Sequence, residues 1–120
     1  MLFRSGAVLC AAAVAAGAFG AHALKARLPP ELLGTYKTAV EYQFYHALGL
    51  VLLGGLADRL PGSTLISVAG WTMFGGIVIF SGSLYLLCGT GARWLGAVTP
   101  IGGLAFLVAW LLLAVAVVRL

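Results

Sequence analysis

Charged side chains interrupt this chain only at Arg4, Lys25, Arg27, Glu31, Lys37, Glu41, Asp58, Arg59, Arg93 and Arg119, leaving uncharged stretches at 5–24, 42–57, 60–92 and 94–118. A helix needs about 20 mostly apolar residues to cross roughly 30 Å of hydrocarbon. Three stretches reach that length alone, and the second does so by borrowing a few residues before Tyr42. The pattern therefore predicts an all-α polytopic integral membrane protein, a four-transmembrane-helix bundle in a single domain over 1–120. Its spans are expected at about 5–24, 39–57, 64–88 and 97–118. No strand is expected, because each unpaired backbone group in lipid costs several kcal/mol and helices satisfy their own.

Local signals refine the boundaries. In the first span Ala13, Gly17 and Ala21 recur every four residues, forming a stripe of small side chains that lets two helix backbones approach closely. Pro29-Pro30-Glu31 reads as a helix start, with proline tolerated in the first turn and an acid near the positive dipole end. The second helix should run from there to about Gly55. Pro61-Gly62 marks a turn, and Ser63 is a candidate N-cap for the third helix. For the fourth, Thr99 as cap and Pro100 as first helical residue is the preferred reading; a start at Trp94 would leave Pro100 to kink the helix.

Composition agrees with this placement. The chain is 62% hydrophobic and 8% charged, with a mean hydropathy of +1.11. An average soluble domain carries roughly 25% charged residues, so the missing polar shell implies that lipid covers most of the surface. The net charge of +4 comes from basic residues scattered at helix ends, which suits interfacial anchoring and argues against nucleic-acid binding. Basic residues divide three against four between the two sides, so orientation is not readable from them. Cys10 and Cys88 sit inside apolar spans without metal-type spacing and read as small apolar residues. Arg4 and Ala21-His22-Ala23 resemble a signal peptide, but the apolar run exceeds the usual core of about 7–15 residues, so the first span is expected to be retained.

Polar side chains inside a membrane are costly and mark candidate sites. His22, Glu41, Tyr45, His46, Ser81 and Tyr85 are the candidate ligand-binding residues. At about 100° per residue, Glu41 shares a face with Lys37 and Tyr45, whereas His46 lies about 140° away with Tyr42 and Gly49. An antiparallel hairpin should bring His22 to the depth of Glu41, and a hydrogen bond between them is the expected clamp. His46 should lie about 7 Å deeper than Glu41. On the third helix Ser81 and Tyr85 share one face, and Thr72, Gly76 and Ser83 another. No catalytic set, paired carboxylates or phosphate-cradling loop assembles, so no catalytic residue, metal site or cofactor is expected.

Four blocks carry a family resemblance: Gly17-Ala18-Phe19-Gly20-Ala21-His22 with Leu24; Glu41-Tyr42-Gln43 with His46; Phe80-Ser81-Gly82-Ser83-Leu84-Tyr85; and Thr99-Pro100-Ile101-Gly102-Gly103 followed by Ala109-Trp110. In this order they resemble the domain of unknown function 423 family, the YgdD-like small bacterial inner-membrane proteins, and are similar to eukaryotic transmembrane protein 256. The resemblance implies a multi-span protein of the bacterial inner (plasma) membrane and carries no mechanism. A non-enzymatic structural, interaction or assembly component is the leading reading, its partners being the lipid bilayer and further copies of itself or a larger membrane complex. The alternative is a small-molecule, lipid or ion-binding or transport protein with a polar pocket around His22, Glu41 and His46. A haem-type redox carrier using the two histidines comes third.

Overall fold

A computed structural model describes residues 1–119. It contains α1 (Leu2–Phe19), which runs on into a π-helical turn (Gly20–Leu24), then α2 (Pro30–Ala57), α3 (Thr64–Thr90) and α4 (Leu95–Val118). No strand occurs among the described residues. Leu2–Leu24, Thr64–Thr90 and Leu95–Val118 are long and apolar enough to cross a membrane. That is three such helices where the charge pattern predicts four. α2 is as long as the others but carries Glu31, Lys37, Glu41, Gln43 and His46 between its first turn and just past its middle.

The helices pack in chain order, α1 against α2, α2 against α3 and α3 against α4, in a body of 48 × 26 × 18 Å. Leu50, Leu53, Ile66, Ala69, Met73, Phe106, Ala109 and Leu113 form the continuous core of α2, α3 and α4. α1 lies along α2 at the edge of this core. The contact is close because Gly6 has no side chain: a Cβ there would stand 2.7 Å from the Ala47 carbonyl oxygen and 2.8 Å from Val51. Small residues let helix backbones meet in this way where lipid supplies no hydrophobic drive. Across α3 and α4, Gly102 plays the same part against the Phe80 backbone.

Several local expectations hold. α2 begins at Pro30 with Glu31 in its first turn. Ser63 Oγ accepts a hydrogen bond from the Ile66 amide at 3.4 Å, and α3 ends at Gly91, whose φ of 72° is left-handed. That conformation suits glycine at the end of a helix.

Two expectations require correction. α4 begins at Leu95, and Pro100 lies inside it. The chain enters α4 through a tight turn in which Leu95, Gly96 and Ala97 donate to the carbonyls of Ala92, Arg93 and Trp94. Thr99 caps nothing: its hydroxyl donates back to the Leu95 carbonyl at 3.2 Å, and the Pro100 ring is exposed. In the α1 stripe Ala13 is buried, but Ala21 is exposed and Gly20 takes its place. A Cβ on Gly20 would overlap the Tyr36 ring. The contact stripe runs Ala13, Gly17, Gly20, the i, i+4, i+7 spacing of a helical repeat of about 3.6 residues, whereas a strict four-residue step to Ala21 drifts off the face.

Candidate functional site

α2 is the element from which every candidate site is built. Its buried face runs Tyr36, Ala39, Gln43, His46, Ala47, Leu50 and Leu53, the near-heptad spacing by which a helix keeps one seam against its neighbours. The polar members of that seam reach in different directions.

Toward α1, Tyr36 Oη donates to the Ala16 carbonyl, and Gln43 Nε2 donates to the Leu9 carbonyl at 2.9 Å. Donors and acceptors are each seven residues apart and run in opposite order, which makes the helices antiparallel. Toward α3, Tyr85 Oη donates to Gln43 Oε1 at 2.6 Å, Ser81 Oγ to the Ala39 carbonyl at 2.7 Å and Cys88 Sγ to the Leu32 carbonyl at 3.3 Å. Between α3 and α4, Ser83 Oγ and Thr99 Oγ1 lie 2.6 Å apart. Most of these bonds end on a main-chain carbonyl. Such an oxygen is already used once by its own helix and accepts through its second lone pair, so a single polar side chain can tie two helices without a polar partner residue.

The six predicted site residues therefore divide. Ser81 and Tyr85 share a face as expected and are consumed in bonds to α2. Glu41 and Tyr45 share a face too, lining an apolar groove of about 330 Å³ against Ala13, Val14 and Gly17 of α1. Lys37 and Glu41 line an adjoining cavity of about 130 Å³ with Gly17, Gly20 and Ala21. His22 is exposed and lies outside both. No hydrogen bond joins His22 to Glu41 among the described residues, contrary to the expected clamp. Gly20 is the residue turned onto α2, and two residues on, about 200° around a helix, His22 points away.

His46 is separated from both. The residue is 7% exposed, and its ring stacks on Phe106 of α4, with centroids 3.4 Å apart and planes at 9°. Tyr42, one turn before it, stacks at 6.0 Å and packs on Phe80 of α3 at 4.5 Å. Trp110 closes the group at 5.9 Å. Tyr42, His46, Phe80, Pro100, Gly103, Phe106 and Trp110 line a cavity of about 530 Å³ that opens sideways from the bundle. A polar pocket shared by His22, Glu41 and His46 is thus replaced by two separate features on different sides of α2. A haem held between the two histidines has no geometric support either, since only His46 faces this cavity. No cluster of three or more metal-ligating side chains occurs among the described residues.

Gln43 is the residue that reading by type misses. It joins α1, α2 and α3 through its two amide ends. The available signal was its position seven residues after Tyr36 and three before His46, on one helical seam.

Comparison with known proteins adds a family. The family described as protein of unknown function (DUF423) matches residues 16–103. The chain is 49% identical over 114 residues to the UPF0382 membrane protein YwdK of Bacillus subtilis, covering 95% of this chain and 93% of that protein. It is 47% identical over 112 residues to the UPF0382 membrane protein SH2409 of Staphylococcus haemolyticus, covering 92% and 88%. No solved structure matches.

Proposed function

This chain belongs to the DUF423 family of membrane proteins, and on that premise we propose that it is a non-enzymatic structural and assembly component of the bacterial inner membrane. In this reading it crosses the bilayer four times and works by contact with further copies of itself or with other membrane proteins. α2 supplies the fourth crossing: its 28 residues span about 42 Å at 1.5 Å per residue, and it packs antiparallel between α1 and α3.

The observation that carries the reading is the fate of the polar groups. Gln43, Ser81 and Tyr85 spend their hydrogen bonds on neighbouring helices, and Ser83 and Thr99, each also bonded to a carbonyl of its own helix, meet across α3 and α4, an arrangement that holds a bundle together rather than one that presents reactive groups to a substrate. Short connections add little outside the membrane, so contacts with partners would fall on the helix faces.

Extraction from its own membrane directly into polymer-bounded lipid discs, followed by native mass spectrometry, tests this. The expected species contains this chain with stoichiometric further copies or another membrane protein. A monomer carrying no other protein would overturn the assembly role.

A further inference from the structure

We propose that the aromatic cavity around His46 is a binding site for the hydroxyaromatic headgroup of a membrane quinol. The cavity, at about 530 Å³, falls within the range of about 300–1,000 Å³ typical of small-molecule sites. Its walls are rings: Tyr42, Phe80, Phe106 and Trp110 stand around His46. Offset and edge-on packing among such rings favours a flat aromatic guest over a branched or flexible one. On the α4 side Gly103 leaves room, since a Cβ there would meet only the Phe80 ring edge at 3.9 Å.

The polar atoms in this cavity decide which aromatic guest fits. His46 Nδ1 lies 2.7 Å from the Tyr42 carbonyl oxygen, and a carbonyl can only accept. In the neutral ring the proton is therefore on Nδ1, and Nε2 presents a bare lone pair. Nε2 has no hydrogen-bond partner among the described residues, yet no sealed, unpaired side-chain nitrogen or oxygen exists in the structure. His46 as a whole is 7% exposed and lines the cavity, so Nε2, unpaired and not sealed, is the atom that opens onto it. The Tyr42 hydroxyl and the Trp110 indole N–H are without partners among the described residues too, and both residues line the cavity.

A guest must then bring one O–H donor for His46 and an oxygen that accepts from Trp110 or Tyr42. A hydroquinone ring supplies both. A quinone has only carbonyl acceptors and leaves the His46 lone pair facing oxygen, which costs the full desolvation of an unpaired group. The site therefore selects the reduced form. The sideways opening, on the lipid-facing surface of the bundle, gives a chain-bearing quinol entry from the bilayer with its tail left among the lipids.

Titration of decylubiquinol, kept reduced under argon, and of decylubiquinone into the protein in phosphatidylcholine nanodiscs tests the site, with tryptophan fluorescence as readout. Saturable one-to-one binding of the quinol, at least tenfold tighter than of the quinone, is expected. His46→Phe keeps the stack on Phe106 but removes Nε2 and should weaken quinol binding at least tenfold. Gly103→Leu fills the cavity without touching His46 and should abolish binding while helix content by circular dichroism stays unchanged. Uptake that rises linearly and equally in the wild type and both variants is simple partitioning and overturns the proposal. Equal affinity for quinone and quinol overturns the role of His46 as acceptor. Equally tight binding of dodecanol overturns the aromatic class.

Discussion

Tyr85 of α3 donates a 2.6 Å hydrogen bond to Gln43 of α2, and through the other end of the same amide Gln43 holds the Leu9 carbonyl of α1. One side chain thus couples three helices. Interhelical hydrogen bonds in membranes average only about 0.6 kcal/mol, with a maximum near 1.7, but removing one partner also strands the other. Gln43→Leu and Tyr85→Phe should each destabilise the fold by about 1 kcal/mol, and the double variant by clearly less than their sum. Reversible unfolding in mixed micelles measures the cycle, and strict additivity would show that the two do not interact.

The glycines of α1 should differ sharply in tolerance. Gly6→Ala drives a methyl to 2.7 Å from the Ala47 oxygen, a backbone atom that cannot step aside, whereas the same change at Gly17 meets only a Val40 methyl at 3.4 Å. Overpacking of this kind costs about 1–3 kcal/mol. Gly6→Ala is therefore expected to lower thermal stability by several degrees, and Gly17→Ala to leave it unchanged or slightly raised by better helix propensity. The reverse order in a melting experiment would mean that α1 packs by a different face.

His22→Ala and Glu41→Gln should act independently. Both side chains are exposed and no hydrogen bond joins them among the described residues, so their effects on stability should add to within about 0.5 kcal/mol. A larger coupling energy in the double variant would restore the direct contact that the structure lacks.

Four crossings return the chain to its starting side. Reporter fusions at the N- and C-termini should give the same compartment, and tags inserted within 25–29 or 91–93 the opposite one. Termini on opposite sides would mean that α2 does not cross.

Much of the fold is written in charge spacing. Helix number and most boundaries follow from where ten charged residues fall and from Pro30, Ser63 and Gly91, because lipid forbids unsatisfied backbone and leaves helices as the economical solution. Face-sharing was legible for the same reason: Tyr42 with His46, Glu41 with Tyr45, and Ser81 with Tyr85 follow from helical geometry within one element. The start of α4 was not, because Thr99 and Pro100 carry a strong local capping signature. In the structure the turn at Ala92–Ala97 starts the helix earlier, and the Thr99 hydroxyl bonds the Leu95 carbonyl and lies 2.6 Å from Ser83 Oγ.

Which side chains meet across helices was decided only by tertiary packing. Gly20 meets Tyr36 in the seven-residue phase set by the buried Gly6 and Ala13, and His22, in the π-helical turn that follows, is exposed; which neighbour that face meets is decided by the packing of α1 on α2. Gln43 and Ser81 find main-chain carbonyls as partners, and every residue type offers that acceptor, so no complementary residue marks the contact in advance. The cavity at His46 likewise draws its walls from α2, α3 and α4, three successive helices whose relative rotation is set by glycine contacts and by the core they enclose. A helix in lipid is specified locally by its own hydrogen bonds and hydropathy, but its rotation about its axis depends on neighbours it meets only in the folded bundle.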